Sequence, residues 1–201
     1  MRIGICGPSG TGKTTLAKKL SKEYKIPYKP LSATMVLEEM GIDMGIKGMG
    51  HRWLINKSSE DSSWGLKVQE EVLISRQEAL KAYKSVIIDR TPVDNLVYAM
   101  YEVSHNASEE WVDDFRDKCH EFFQTFDYII FLPYTWRQGP VENNGSRIPN
   151  RYFQELISNI FNQQLDILRS MSPEGPIITT IEDWDFDTRF LIASETIEII
   201  S

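Results

Sequence analysis

Short runs of apolar residues, separated by longer stretches with helical spacing, set the pattern of this 201-residue chain. The strongest runs are Val86 to Ile88 and Tyr128 to Leu132, and both are continuous rather than alternating. Continuous apolar runs are typical of strands that helices cover on both faces. The predicted strands, of which the second is the weakest, are residues 3–6, 25–31, 85–89, 127–132 and 176–181. The pattern therefore predicts an α/β fold, with helical layers on either side of a parallel sheet of about five strands.

The stretches between these strands carry apolar residues at helical spacing, most clearly over residues 66–84. One helix start is well marked, because Thr91 suits the N-cap, Pro92 the first helical position and Asp94 the first turn. In addition to the helix that starts there, the predicted helices are residues 14–24, 66–84, 108–124, 150–170 and 187–200.

Two segments do not fit the alternation of strands and helices. Residues 32–65 are rich in glycine and methionine and contain two tryptophans, while residues 133–149 are polar and rich in Gly, Pro and Asn. Long irregular segments in a compact domain are usually functional or disordered. We expect both to be mobile covers over a site, with residues 133–151 as a helical or loop lid, in a single domain of residues 1–201.

The composition is that of a soluble globular protein, with 41% hydrophobic and 25% charged residues. No apolar run approaches the roughly 20 residues of a membrane span, and the N-terminus leads into a predicted strand without a signal-peptide pattern. We therefore expect a cytoplasmic protein with no membrane partner. Cys6 and Cys119 fall in a predicted strand and helix, which favours two small core residues over a zinc site.

The net charge of −7 is unevenly distributed along the chain. Residues 1–60 carry ten Lys/Arg against five Asp/Glu, whereas residues 61–201 carry twelve against twenty-four. A basic N-terminal third suits a small polyanionic ligand. The acidic remainder argues against a broad surface that binds duplex DNA.

The sequence of residues 7–14, here named the phosphate loop, fits the pattern G-x-x-x-x-G-K-[ST] between a predicted strand and a predicted helix. Such a turn presents backbone N–H groups and a helix N-terminus to a phosphate. Lys13 would reach the outer phosphates of a nucleoside triphosphate, and the Thr14 hydroxyl would bind Mg²⁺. The motif by itself does not separate a kinase from a GTPase, a motor or a regulatory ATPase. The predicted ATP-binding residues are Gly7, Pro8, Ser9, Gly10, Thr11, Gly12, Lys13, Thr14, Thr15 and Arg137.

Asp89 and Arg90 end the predicted strand 85–89, at the sheet edge where the phosphate loop should also lie. A carboxylate there can hold Mg²⁺ or accept a proton from an attacking hydroxyl, and a guanidinium can bind a phosphate through two hydrogen bonds. Phosphoryl transfer concentrates negative charge, so arginines on a closing lid would lower the barrier. The lid supplies three candidates, Arg137, Arg147 and Arg151.

The phosphate loop, the Asp-Arg pair at a strand end and the arginine-bearing lid before a long helix resemble the P-loop nucleoside and nucleotide kinases. Thymidylate-kinase-like and phage deoxynucleoside monophosphate kinase-like proteins belong to this group. The lid sequence Asn144-Gly145-Ser146-Arg147 is also similar to the ribosylnicotinamide-kinase-like AAA ATPases, although Asp usually stands where this chain has Asn144. The resemblance implies the three-layer sandwich fold of P-loop NTPases and ATP with Mg²⁺ as cofactor.

The resemblance also implies a division of roles. Lys13, Asp89, Arg147 and Arg151 would be catalytic residues, Thr14 with Asp89 would hold the metal, and Arg90 would bind the acceptor. In such kinases the region equivalent to residues 32–65 builds much of the acceptor pocket. We expect Trp53, Trp64 and the methionines of this segment either to form a wall that stacks on a base or to be ordinary core residues, and Glu38 to lie near the acceptor.

The acceptor itself stays open at the level of sequence. A monophosphate needs arginines more than a base, whereas a nucleoside hydroxyl needs a carboxylate such as Asp89, Glu38 or Glu39. The supply of arginines favours a (deoxy)nucleoside monophosphate, with a nucleoside or ribosylnicotinamide as the alternative. A kinase of a modified base in DNA and a regulatory ATPase module are further alternatives, and a homodimer is possible.

Overall fold

The computed structural model describes residues 1–42, 51–138 and 148–200, without the side chains at positions 35, 51–54 and 62. The strands in these ranges are β1 (Arg2–Cys6), β2 (Tyr28–Pro30), β3 (Val86–Asp89), β4 (Tyr128–Phe131) and β5 (Ile177–Thr180). The α-helices are α1 (Lys13–Tyr24), α2 (Ala33–Glu39), α3 (His51–Glu60), α4 (Ser62–Lys81), α5 (Pro92–Glu102), α6 (Glu109–Phe123), α7 (Arg151–Met171) and α8 (Phe186–Ile200).

The strands form one parallel sheet in the order β2-β3-β1-β4-β5. Ile5 of β1 is in register with Asp89 of β3, and Cys6 is in register with Phe131 of β4. Since parallel strands end at the same edge, the segments that follow β1, β3 and β4 lie side by side there. The predicted α/β fold with a parallel sheet of five strands is confirmed.

Successive strand residues alternate between two apolar cores. Ile88 and Phe131 belong to a core that α4, α5, α6 and α7 cover, and Ile87 and Ile130 belong to a core that α1 and α8 cover. The continuous apolar runs of the sequence follow from this arrangement, because both faces of the sheet are buried. The three-layer sandwich is therefore built by helices on the two faces.

The predicted start of α5 is confirmed in detail. Thr91 is the N-cap, its side chain accepts a hydrogen bond from Val93 N at 3.2 Å, and Pro92 is the first helical residue. Asp94 accepts a bond from Thr91 N at 2.8 Å and completes a capping box. These contacts fix the direction in which the chain leaves the sheet edge after β3.

The structure corrects the prediction of an irregular cover over residues 32–65, because the described parts of this segment are largely helical. The Asp61 side chain caps α4 by accepting a bond from Trp64 N at 3.1 Å, so the helix starts at Ser62 rather than at Leu66. Glycine at position 65 lets α4 pack closely on α3. An added Cβ there would lie 2.8 Å from the Ser58 Cβ of α3.

A small apolar cluster holds α2 against α4. Its buried members are Val36, Leu37, Val68 and Val72, and Trp64 packs against them. Burial of this cluster stabilises the seven-residue helix α2, since tertiary packing supplies most of the stability of short helices. In the predicted lid, Trp136–Gln138 form one 3₁₀ turn, and residues 139–147 lie outside the described residues. Among the helices of the described ranges, none has the length and apolar composition that a membrane crossing requires.

Candidate active site

The turn between β1 and α1 has a backbone shape that depends on glycine. Gly7, Gly10 and Gly12 have φ values of 137°, 84° and 86°, and a Cβ at Gly7 would lie 2.3 Å from the carbonyl oxygen of Leu132. Gly12 is the N-cap of α1, and no side-chain hydrogen bond from the described chain caps this helix. The first-turn N–H groups and the helix dipole therefore suit an anion bound in the turn.

Other residues of the phosphate loop brace it from within. The Thr11 hydroxyl donates to the carbonyl oxygen of Pro8 at 3.0 Å, and Thr11 is buried. Thr14 and Thr15 are exposed in the first turn of α1. The loop is thus a preformed backbone cradle that two exposed threonines follow at the start of α1.

Lys13, which is predicted to bind the outer phosphates, packs against the phosphate loop itself. Its ammonium donates to the carbonyl oxygen of Pro8 at 2.5 Å and to the Thr11 hydroxyl at 3.5 Å. Burial, reinforced by the charge of Arg90, lowers the pKa of Lys13 to about 7. A bound polyphosphate would oppose both effects, because a nearby negative charge favours the protonated amine.

Thr14 and Asp89, predicted to hold Mg²⁺ together, are brought into contact. The Thr14 hydroxyl donates a short hydrogen bond to Oδ2 of Asp89. Hydroxyl and carboxylate oxygens are the donors that Mg²⁺ prefers, so this pair fits the metal that the family implies. The pairing is a consequence of sheet order, since β3 lies directly beside β1.

Tyr28 of β2 is a site residue that the sequence did not reveal. Its phenol lies beside Asp89 and Thr14, and both act on its pKa. Burial, followed by the charge of Asp89, raises the pKa of Tyr28 well above its ordinary value, so the phenol stays protonated. The short strand around Tyr28 gives no motif, and only the neighbouring positions of β2 and β3 place it here.

Arg90 reaches the phosphate loop from an unusual backbone position. Its φ is 117°, a value that non-glycine residues rarely adopt, and its N–H donates to the carbonyl oxygen of Ile5 at 3.1 Å. The guanidinium donates to Oδ1 of Asp94 at 2.9 Å and to the Ser9 hydroxyl at 3.5 Å. Backbone strain of this kind often marks a functional residue. The predicted position of Arg90 beside the phosphate loop agrees with this geometry.

Arg76 of α4 is a second residue that sequence reasoning missed. It is buried, and its guanidinium donates to the carbonyl oxygens of Leu31 at 3.1 Å and Thr91 at 3.4 Å. It also makes a short hydrogen bond to Oδ1 of Asn95, whose Nδ2 is buried without a partner among the described residues. A signal was present, because Arg76 falls on the apolar stripe of α4 between Val72 and Leu80.

Among the described residues, no hydrogen bond or ring contact joins Arg137 or Arg151 to the phosphate loop. Arg137 lies in the 3₁₀ turn Trp136–Gln138. Arg151 is exposed at the start of α7, where its guanidinium lies 4.6 Å from the centre of the Trp136 ring and 4.9 Å from that of Tyr152. Arg147 lies outside the described residues. The catalytic roles of Arg147 and Arg151 therefore stay predictions.

The structure says less about the other two predicted acceptor residues, Glu38 and Trp53. Glu38 is exposed on α2. Trp53 belongs to α3, and its side chain lies outside the described part of the structure. Trp64, the other tryptophan of this segment, packs on the apolar cluster between α2 and α4. Of the three predicted acceptor residues, Arg90 is thus the one with a described contact to the phosphate loop.

A family model described as an AAA domain matches residues 2–174. The chain belongs to this AAA domain family. The matched part includes the phosphate loop, Asp89, Arg90 and all of α7, and it ends before β5 and α8. No curated protein matches this AAA-domain chain in sequence.

Several solved structures share the fold. Deoxyadenosine kinase from M. mycoides with the products dCMP and dCDP bound has a TM-score of 0.64 at 16% identity, with 100% of both chains covered. Thymidylate kinase from Ehrlichia chaffeensis has a TM-score of 0.55 at 16% identity, over 100% of this chain and 98% of that one. NadR in complex with NR has a TM-score of 0.56 at 17% identity, over 98% of this chain and 48% of that one. The predicted P-loop kinase fold is confirmed.

Proposed function

We propose that this chain transfers the γ-phosphoryl group of ATP to a small nucleotide, with a deoxynucleoside monophosphate as the favoured acceptor. The observation that carries the proposal is Arg90, held in a strained backbone conformation within 3.5 Å of Ser9 in the phosphate loop. A guanidinium so placed can bind an acceptor phosphate next to the donor. The thymidylate kinase of the same fold supports a nucleotide acceptor.

The donor half of the site follows from the phosphate loop. Backbone N–H groups at the start of α1 and the Lys13 ammonium would bind the ATP phosphates. Thr14 and Asp89 would hold Mg²⁺, which neutralises charge on the β- and γ-phosphates when it is bound. Tyr28 would keep the Asp89 carboxylate oriented through its hydroxyl.

With a monophosphate acceptor, the chemistry needs no general base. An acceptor phosphate oxygen, already anionic, bonds to the γ-phosphorus while the bond from that phosphorus to the β–γ bridging oxygen breaks, and ADP leaves. Arg90 would align the attacking phosphate, and its charge would offset repulsion between acceptor and donor. The Nδ2 of Asn95, which is buried without a partner among the described residues, would donate to a carbonyl oxygen on the acceptor.

A nucleoside acceptor is the second candidate, favoured by the position of Asp89 at the carboxyl end of β3 beside Arg90. In that reaction a carboxylate must accept the proton of the attacking hydroxyl, and Asp89 is a candidate for this role. The fold shared with deoxyadenosine kinase supports this alternative. Ribosylnicotinamide would be handled by the same chemistry.

The deciding experiment is ADP release from Mg-ATP across a panel of nucleosides, their monophosphates, ribosylnicotinamide and oligonucleotides that contain modified bases. We expect a deoxynucleoside monophosphate to stimulate release strongly, and Lys13→Ala to abolish the stimulated rate. Stimulation by a nucleoside alone would establish the second candidate. Basal hydrolysis that no acceptor stimulates would instead favour a regulatory ATPase and refute the kinase proposal.

Arg90 provides a sharper version of this test. Arg90→Gln should raise KM for a monophosphate acceptor by at least about tenfold, since it removes a charge-assisted bidentate contact. Affinity for Mg-ATP should change much less. An unchanged KM for the acceptor would refute the role given to Arg90. A sizing column run on the same samples tests the possible homodimer.

A further inference from the structure

A buried arginine from the C-terminal helix contacts the phosphate loop from behind. Arg189 of α8 is 5% exposed, and its Nη1 donates to the carbonyl oxygen of Thr11 at 2.6 Å. Its Nε makes a short bond to the carbonyl oxygen of Asp183, in the segment between β5 and α8. Arg189 lies beyond residues 2–174, the part that the family model matches.

The contact with Thr11 constrains the peptide group that it shares with Gly12. In a trans peptide the C=O and the following N–H point in opposite directions, and none of the described peptide bonds is cis. Holding the Thr11 carbonyl toward Arg189 therefore directs the Gly12 N–H to the opposite side, into the turn. A charge-assisted bond to the carbonyl also polarises the peptide and makes that N–H a better donor.

Arg189 also occupies the space beside Gly12. An added Cβ on Gly12 would lie 3.4 Å from Nη1 of Arg189, so guanidinium and loop are in close contact. Gly12 has a φ of 86° and is the N-cap of α1. The contact with Arg189 therefore supports the residue at which the chain enters the helix. Arg189 thus supports the loop backbone at the Thr11–Gly12 peptide.

Arg189 forms no ion pair in the described part of the chain. Its hydrogen-bond partners there are carbonyl oxygens, and Nη2 is buried with no partner among the described residues. Burial lowers the pKa of Arg189 only from a very high ordinary value, so it remains a cation. The charge of Asp183 favours the protonated guanidinium and offsets part of the cost of burial, and a nearby bound polyanion would offset more of it.

We propose that Arg189 is a positioning residue for phosphate binding, which holds the Thr11–Gly12 peptide in its anion-binding orientation and adds positive charge behind the phosphate loop. It acts through the loop backbone. The inference rests on the proposed function in one respect, namely that nucleotide phosphates are the ligand of the loop.

The test compares Arg189→Met, which keeps the length of the side chain without its donors, with Arg189→Lys, which keeps the charge. Binding of Mg-ATP and of inorganic tripolyphosphate is measured by calorimetry. We expect Arg189→Met to weaken both by about tenfold or more, the loss of a hydrogen bond to a charged group. Arg189→Lys should recover part of the loss, because an ammonium can reach one carbonyl but cannot bridge two.

Thr188→Ala is the matched control for damage to α8. It removes the hydroxyl that donates to Asp185 at 2.9 Å in the first turn of the same helix, without a contact to the phosphate loop among the described residues. Its affinity for Mg-ATP and tripolyphosphate should stay near that of the wild type. Binding by Arg189→Met that is as tight as in this control would overturn the inference.

Amide hydrogen exchange provides a second measurement if Arg189→Met does not fold. In Arg189→Lys, the amides of residues 10–14 should exchange faster than in Thr188→Ala, and unchanged exchange would overturn the inference. Neither measurement needs an acceptor. A wild-type chain that binds Mg-ATP but phosphorylates no acceptor would refute the proposed function and leave the role of Arg189 testable.

Discussion

The guanidinium of Arg90 and the carboxylate of Asp94 form an ion pair at 2.9 Å, and the Asp94 side chain is completely buried. The same carboxylate accepts hydrogen bonds from the backbone N–H and the hydroxyl of Thr91, at 2.8 and 3.1 Å. One buried side chain thus caps α5 and fixes the arginine beside the phosphate loop. This ion pair helps to hold Arg90 in its strained backbone conformation beside the phosphate loop.

Asp94→Ala should destabilise the fold by about 3 kcal/mol, because it leaves the Arg90 charge without its buried partner. Urea unfolding measures the change. Asp113→Ala is the matched control, since Asp113 is largely exposed and pairs with Arg116 at 3.2 Å one turn away in α6. Loss of that surface pair should cost less than about 1 kcal/mol. Equal losses in the two variants would contradict a structural role for the buried pair.

The sequence predicted the features that depend on local order. Residues 7–14 carry their own glycines, and Thr91 with Pro92 caps its own helix, so their structure follows from neighbours in the chain. Asp89 and Arg90 were placed correctly because parallel strands end at one edge of a sheet. These predictions needed only the strand pattern and the spacing of motifs.

The missed residues are those whose role depends on distant parts of the chain. Tyr28 meets Asp89 only because β2 pairs with β3, and Arg189 meets Thr11 across 178 positions. Arg76 and Arg189 each interrupt the buried stripe of a helix, and a charge at such a position is the signal that could have identified them. The helices within residues 32–65 were missed because burial against α4 outweighs their weak local propensity.

Affinity for Mg-ATP should fall as the pH rises above 7. The pKa of Lys13 is about 7, so the amine loses its proton above that pH, whereas bound phosphates favour the protonated form. Binding must then take up a proton, and the apparent affinity should fall by up to about tenfold per pH unit. Calorimetry between pH 6.5 and 8.5, in buffers of different ionisation enthalpy, measures both effects.

Lys13→Arg is the control for this prediction. A guanidinium keeps its proton over the whole range, so binding by the variant, although weaker, should show no proton uptake beyond that of ATP itself. Binding by the wild type at pH 8.5 with no dependence on the buffer would show that Lys13 is already protonated without phosphate.

The Thr14 hydroxyl should control the response to Mg²⁺. Thr14→Val removes the oxygen that contacts Asp89 while keeping the shape of the side chain. We expect the Mg²⁺ concentration for half-maximal ADP release to rise by about 10- to 100-fold, as for the loss of a group that supports a metal site. Thr14→Ser retains the oxygen and should stay close to the wild type. A normal Mg²⁺ response in Thr14→Val would exclude Thr14 from the metal site.

Arg151 tests whether a lid arginine acts in catalysis. Its guanidinium stacks on Trp136 and Tyr152 and donates to the Tyr152 hydroxyl at 3.1 Å. Exposed cation–π contacts contribute only about 0.5–1 kcal/mol each, so a phosphoryl group can draw the side chain away. We expect Arg151→Ala to lower kcat by about 10³ with little change in Mg-ATP affinity, as for an arginine that stabilises the transition state. Trp136→Ala, which removes a stacking partner and keeps the arginine, should retain most turnover. Normal kcat in Arg151→Ala would leave Arg151 as a packing residue at the start of α7 and assign the lid role to Arg137 or Arg147.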